Sequence, residues 1–307
     1  MSDALFKKAT QDLIEKYQHR EMLGADLHFH TEFSMDAISK VENVLHLAKK
    51  KQIGFAVSDH NQIAGALKAV KLAKQKEQQT RQEQPLVIPA IEATCKEGAH
   101  LIYYFYDEKE LQEWYKKELQ PHLKHNPFFA TIPTIELIDN SQKYNALLCT
   151  PHPFAPGITG FQKVEHEKKT VKKIDVIEVI NAFNMHNLNL QAKDWAESLN
   201  KGFSAGSDGH TTPELGTALT FTHGTTREEF LTELKNAHSI VVGKEESIFH
   251  KAVISLLKEE TSVKKAKAHK EAFELIKSQY STEATYLKKQ KDHERSELLH
   301  YFRMHHW

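Results

Sequence analysis

Asp26-Leu27-His28-Phe29-His30-Thr31 is an apolar, β-prone run that closes on two imidazoles. On a strand, alternate residues point to the same side. His28 and His30 therefore project together from one strand end, as two ligands of one ion would. Five further groups share this character: Asp36 just downstream, Ser58-Asp59-His60-Asn61, Glu92 with His100, Pro151-His152-Pro153, and Ser207-Asp208-Gly209-His210. Each sits at the end of a predicted strand. Imidazole and carboxylate without thiolate suit zinc, manganese or iron better than a sulfur site does. Nine such ligands are too many for one ion and about right for three.

Working outward, strand-like runs alternate with helical ones. Leu5, Phe6, Ala9, Leu13 and Tyr17 share one helical face, which predicts a helix from Leu5 to Tyr17 that Gly24 stops. Strands are expected over Ala25 to His30, Gly54 to Ser58, Leu86 to Thr94, Ala99 to Tyr106, Ala146 to Thr150, Asp175 to Asn181, Phe203 to Gly206, Leu219 to Thr222 and Ser239 to Val242. Helices are expected over Val41 to Lys51, Ile63 to Gln79, Glu108 to Leu123, Ile135 to Tyr144, Asn187 to Ser198 and Arg227 to Leu234. Lys74 to Gln84 reads as a solvated polar stretch. Pro151 to Gly160 reads as an irregular loop. Such alternation argues for a parallel sheet, and about seven units favour a closed barrel. In such barrels the active site gathers at the C-terminal strand ends.

The bulk numbers bound the possibilities. The chain has 307 residues, with 40% hydrophobic content and 41 basic against 41 acidic residues. That length suits one large catalytic domain with an appendage, and the neutral balance gives no global field for nucleic acid. The two cysteines, Cys95 and Cys149, build no disulfide framework, and neither has an activating partner in sequence. The charged N-terminus lacks a signal-peptide core, and no run reaches membrane length. A reducing cytoplasm is the expected compartment.

From about Glu246 the composition changes. Gly and Pro vanish, and twelve Lys and Arg stand against nine Asp and Glu, a net +3. Ala266, Phe273, Tyr280 and Leu287 recur every seven residues, as on a packed helix. Two or three helices are expected, with a turn near Ser281-Thr282. They form either a cap on the barrel or a surface for a second copy or a protein partner. The terminal His305-His306-Trp307 reads as a disordered end in preference to a loose metal site. The expected division is an N-terminal helix over 1–24, a catalytic barrel over 25–245 and a helical extension over 246–307.

Taken in order, Asp-Leu-His-Phe-His-Thr with the downstream Ser-Met-Asp-Ala, Ser-Asp-His-Asn, Ile-Glu-Ala-Thr, Thr-Pro-His-Pro-Phe and Gly-Ser-Asp-Gly-His resemble the polymerase-and-histidinol-phosphatase (PHP) family. The resemblance spans roughly Ala25 to Gly243. It implies an α/β fold, a distorted seven-stranded TIM-like β/α barrel, holding three divalent metal ions. It implies a first ion on His28, His30 and Asp208. Glu92 would bridge it to a second ion completed by His100 and His152. A third would rest on Asp36, His60 and His210, with a carboxylate at Asp36 where some relatives carry histidine. Glu92, Asp208 and His210 would take catalytic roles through these ions.

The implied reaction is in-line attack by a metal-activated hydroxide on a phosphate ester. The favoured reading is a phosphomonoesterase acting on a phosphorylated small metabolite or nucleotide. A second reading is an exonuclease on single-stranded ends, which needs a basic, aromatic-lined groove. Tyr103, Tyr104, Phe105, Tyr106 and Trp114 offer aromatics, although strand burial explains the first four better. A third is a metal-stabilised module that only binds a partner.

Asp26 and Asp59 are placed either to hold an imidazole tautomer or to cap a loop. Glu178 and Asn181 end a barrel strand in Ile-Glu-Val-Ile-Asn, where the resembled family often has similar residues, which implies contact with water or substrate. Thr31 and Ser34 either donate to phosphate or make local turn bonds. No arginine follows His152, where some relatives are thought to grip phosphate, so Lys163 or another lysine would substitute. His46, His122, His125, His166, His186, His223 and His238 read as ordinary packing or surface residues.

Overall fold

The computed structural model of the protein describes residues 2–123, 128–164 and 168–266. Its strands are β1 (Asp3–Phe6), β2 (Leu23–Phe29), β3 (Gly54–Val57), β4 (Val87–Thr94), β5 (His100–Phe105), β6 (Ala146–Thr150), β7 (Val176–Asn181), β8 (Gly202–Gly206), β9 (Ala218–Thr222) and β10 (Ile240–Gly243). Its helices are α1 (Gln11–Gln18), α2 (Val41–Lys51), α3 (Ala64–Thr80), α4 (Glu108–Trp114), α5 (Thr134–Ser141), α6 (Lys168–Lys172), α7 (His186–Leu199), α8 (Arg227–Lys235) and α9 (Ile248–Ala266).

The strands form one curved sheet in the order β1-β10-β9-β2-β3-β4-β5-β6-β7-β8. The far end, β8, turns back onto β2 and β9 and nearly closes a barrel. Asp208 N donates to His28 O at 2.8 Å, and His30 N to Gly209 O at 2.9 Å. Ala205 N donates to Thr220 Oγ1 at 2.8 Å. Gly206 permits this approach, since a Cβ there would lie 2.2 Å from His28 Cβ. Asp26 ties the seam by accepting from Ser207 N, Ser207 Oγ and Gly216 N.

Buried residues of β2 to β7 meet in one cluster that includes Leu27, Ala56, Ile88, Ile102, Tyr104 and Cys149. Side chains from so many strands touch only inside a barrel. Phe230, Leu231 and Leu234 of α8 join that cluster. A larger layer packs the helices outside, with Val44, Leu45, Ala66, Val70, Leu137 and Ala196 buried. Trp114 is fully buried and donates Nε1–H to Ser141 Oγ at 2.8 Å.

The expected alternation, the barrel and a helix after Glu246 are all present, but several details differ. The sheet is mixed rather than parallel: β5 runs antiparallel to β4 and β6, and β9 to β10 and β2. The tight turn at Lys96-Glu97-Gly98, with Gly98 at φ 93°, makes β4–β5 a hairpin, and a hairpin is antiparallel by construction. Leu5 and Phe6 belong to a strand, not to the helix expected over Leu5 to Tyr17. They pair with Val242 and Gly243, and α1 begins only after Thr10, whose hydroxyl caps it. α3 ends at Thr80, within a residue of the expected end at Gln79, and the polar stretch from Lys74 stays helical that far because Lys, Gln and Glu favour helix without needing burial. The Glu108 to Leu123 segment is α4, a π turn at Tyr115–Leu119 and a 3₁₀ turn at Gln120–Leu123.

α9 packs on the barrel with Lys251, Ile254, Lys258, Ser262 and Ala266 buried. The heptad positions Phe273, Tyr280 and Leu287, the Ser281-Thr282 turn, the terminal histidines, His125 and His166 lie outside the described residues. No helix among the described residues is long and apolar enough to cross a membrane.

Candidate metal centre

All nine expected ligands gather at one end of the barrel. His28 is the last but one residue of β2, and His30 follows the strand directly. His60 follows β3, Glu92 lies in β4, His152 follows β6, and Asp208 and His210 follow β8. His100 opens β5 rather than ending it, and the antiparallel direction of β5 brings that start to the same rim. His152 and Asp208 adopt positive φ, 27° and 51°, a costly conformation for non-glycine residues that turns their side chains inward.

These nine residues form overlapping groups of potential donors: His30, Asp36, His60 and His210; His28, His152 and Asp208; His28, His30 and Glu92; His60, Glu92 and His100. Another close set is a near-equilateral triangle. His28 Nε2 lies 3.1 Å from His30 Nε2, and Asp208 Oδ1 is 3.5 and 3.3 Å from the two. Ligands at about 2.1 Å around a tetrahedral ion stand roughly 3.4 Å apart, so the triangle fits one cation. Glu92 divides its oxygens. Oε2 is 3.3 Å from His28 and His30 and 3.2 Å from His60, while Oε1 is 2.9 Å from His100 and 3.2 Å from His152. Asp36 Oδ2 stands 2.9 Å from His210 Nε2 and 3.7 Å from His60 Nε2. His30 and His60 each reach two groups, so the geometry does not divide the residues one set per ion.

The donor chemistry suits divalent cations: six imidazoles and three carboxylates, with no thiolate. Nδ1 of His100 and of His152 is buried without a hydrogen-bond partner among the described residues. His100 Nδ1 is only 2.9 Å from Glu92 Oε1, yet not in hydrogen-bonding alignment with it. A buried nitrogen that faces a carboxylate without bonding to it, as His100 Nδ1 does, fits an ion held between the two.

The electrostatics follow from burial and crowding. Burial alone would raise Glu92, but His100, His60 and His28 hold it well below the usual range. The same contest lowers Asp36, through His210 and His60, and Asp208, through His28 and Lys258. Burial would lower His28, but Glu178, Asp208 and Glu92 together raise it well above its ordinary value. His152 is raised by Glu92 against burial. Burial and the neighbouring His210 bring His30 down to about 4.

Neighbouring groups orient the ligands. His28 Nδ1–H donates to Glu178 Oε1 at 3.0 Å, which turns Nε2 toward the centre. Glu178 Oε2 accepts from His152 N at 2.8 Å and Asn181 Nδ2 at 2.9 Å. Asn181 Nδ2 also reaches Asp208 Oδ2 at 3.3 Å. His210 Nδ1–H donates to the Asp208 carbonyl at 2.7 Å, aiming Nε2 at Asp36.

Asp26 and Asp59 do not hold imidazole rings. Asp26 binds the barrel seam, and Asp59 accepts from Thr31 N and Oγ1, both at 2.6 Å. Burial raises them to about 6 and about 7 respectively. Ser34 Oγ donates locally to Asp36 Oδ1 at 2.9 Å.

The centre opens into a pocket walled by His60, Glu92, His100, His152 and Asp208 on one side and by Ala155, Pro156, Phe183 and Met185 on another. Lys163 is exposed and outside this lining. Lys258 of α9 lines it instead. Sequence reasoning missed Lys258, although a signal existed: Lys251, Lys258 and Lys265 recur every seven residues on one helix.

A family model described as PHP-associated matches residues 186–238. No curated protein sequence matches the chain. Among solved structures, the chain is similar to a two-domain Bacteroides vulgatus protein containing a predicted PHP-like metal-dependent phosphoesterase: 14% identity, TM-score 0.53, covering 73% of this chain and 65% of that one. It is similar to a protein designated a metal-dependent phosphoesterase from Bifidobacterium adolescentis: 14% identity, TM-score 0.50, 68% of this chain and 94% of that one. It is also similar to the lesion-specific endonuclease PfuEndoQ of Pyrococcus furiosus: 16% identity, TM-score 0.54, 72% of this chain and 57% of that one. The chain thus spans less than two thirds of the first and third of these proteins. At such identities the likeness is one of fold. The chain thus carries a PHP-associated segment over residues 186–238 and shares its barrel fold with these proteins.

Proposed function

We propose that the protein is a metal-dependent phosphomonoesterase acting on a phosphorylated small molecule or nucleotide. The observation that carries this is the cation-sized triangle of His28, His30 and Asp208, joined through the two oxygens of Glu92 to His60, His100 and His152. His28, His30 and Asp208 would hold one ion, Glu92, His100 and His152 a second, and Asp36, His60 and His210 a third. Bound there, zinc, manganese or iron would polarise phosphoryl oxygens and lower the pKa of water.

The chain's own residues do the rest. Glu178 fixes the His28 ring, and Asn181 steadies Asp208. Apolar Ala155, Pro156, Phe183 and Met185 exclude bulk water beside the ligands, which strengthens electrostatic interactions in the pocket. Lys258 of α9 stands at the pocket, which suits a small ester better than a polymer. Tyr103, Tyr104, Phe105 and Trp114 are buried and offer no stacking surface to bases. A second reading, cleavage of nucleic acid, draws on the fold likeness to the Pyrococcus furiosus endonuclease.

A screen of phosphomonoesters, nucleoside bisphosphates and short oligonucleotides with metal-reconstituted protein separates the two. Release of inorganic phosphate from a monoester, lost with chelator, is expected. Turnover of oligonucleotides alone would establish the second reading instead.

A further inference from the structure

Asn184, in the turn after β7, lines the pocket and is 7% exposed. Its Nδ2 is buried without a hydrogen-bond partner among the described residues. Apart from the expected ligands His100 and His152, no other residue lining the pocket holds such an atom among the described residues. A buried amide donor left unmade is costly, and a native protein rarely keeps one without a use for it. The backbone fixes the amide in place. Asn184 N donates to Asn181 O at 3.1 Å and to Asn181 Oδ1 at 3.0 Å. The Asn184 carbonyl accepts from Lys251 Nζ of α9 at 2.6 Å. Asn181 itself bonds Glu178 and Asp208, so the turn is tied to the metal centre on one side and to α9 on the other.

The pocket around this donor is apolar, through Ala155, Pro156, Phe183 and Met185. Small-molecule sites take most of their contact from such surface and their orientation from a few placed polar groups. In the proposed reaction the phosphoryl group belongs at the ligand side of the pocket. The alcohol that leaves it meets the remaining lining, where Asn184 presents a fixed donor among apolar side chains.

We infer that Asn184 is a specificity-determining residue whose Nδ2–H donates to an acceptor atom on the leaving alcohol. The substrate class is then a phosphate ester of an alcohol that carries a hydrogen-bond acceptor on an apolar body. This rests on the phosphoesterase reading. An ester without the acceptor leaves the donor buried and unpaired, which is how a site built around a polar group rejects an apolar analogue.

The test uses the full-length, manganese-loaded protein and pairs of aryl phosphates of similar shape: the ortho, meta and para acetylphenyl phosphates, whose carbonyl accepts, and their ethylphenyl counterparts, which lack it. The ratio of variant to wild type for each ester cancels the difference in leaving-group chemistry. Asn184→Leu is expected to lower kcat/KM about fivefold or more for at least one acetylphenyl ester, mostly through KM, and to change its ethylphenyl partner by less than about twofold, the scale of one hydrogen bond. Inhibition by inorganic phosphate stays unchanged. Asn184→Ala carries the same expectation should leucine fit poorly. Because the protein gives the donor no partner, the leucine variant keeps a denaturation midpoint at or near that of wild type. Equal losses on both esters of every pair place Asn184 against the phosphoryl group or in the pocket's shape and overturn the inference. No loss on any ester means that water serves the amide, and overturns it too. In both cases wild-type turnover leaves the phosphoesterase reading intact. A loaded wild type that hydrolyses no monoester removes that reading, and this role with it.

Discussion

His28 Nδ1 lies 3.0 Å from Glu178 Oε1, across 150 residues of sequence, and both groups are buried. A carboxylate that fixes an imidazole ligand raises its basicity and sets its rotamer. Glu178→Ala is therefore expected to weaken metal binding about 10–100-fold while the fold survives. Competition with a chromophoric chelator measures this. Unchanged affinity would show that the contact only fills space.

Metal loading should release protons. His28 and His152 are both raised above the ordinary 6.5, so the metal-free protein holds protons on nitrogens that must be bare to bind an ion. The sign follows: apparent affinity strengthens as pH rises through and above that value, and weakens below it. Calorimetry in two buffers of different ionisation enthalpy reads the released protons directly. Identical heats in both buffers would contradict it.

Asp26 should matter to stability. Its carboxylate accepts from Ser207 N, Ser207 Oγ and Gly216 N, all buried. Asp26→Ala leaves two backbone N–H groups unsatisfied at the seam, at a cost of about 2–4 kcal/mol. Chemical denaturation gives the number. A midpoint equal to wild type would mean that water takes over the acceptor role.

Both thiols should be inert in the native state. Burial pushes Cys95 and Cys149 up to about 12, so almost no thiolate exists at neutral pH. A thiol reagent is expected to find both cysteines only after denaturation. Rapid labelling of folded protein would show that the barrel opens.

Removing residues after Glu246 should impair the site as well as solubility. The structure places Lys258 in the pocket and Lys265 against the loop carrying Asp36. A soluble truncated protein with wild-type kcat/KM and phosphate affinity would return α9 to the role of a plain cap.

The barrel and the gathering of the nine donors were legible because both rest on local rules. Strand alternation puts His28 and His30 on one side, and ligand-rich strand ends mark the rim. What was not legible depended on distant pairing. Leu5 and Phe6 fit a helical face equally well, and only pairing with β10 makes them a strand. The antiparallel β5 keeps His100 at the rim, although that residue starts its strand. Glu178 as the partner of His28, rather than the adjacent Asp26, is set by barrel closure. Lys258 was hidden because seven-residue spacing was sought among apolar residues rather than among lysines.

The most direct measurement is the metal content of protein dialysed against manganese or zinc, compared with His30→Ala. About three ions per chain are expected, three protein ligands to each. The variant should lose metal and phosphatase activity together. A wild type that retains no metal, or a His30→Ala protein with full metal content and full activity, would contradict the shared centre built from the six strand ends.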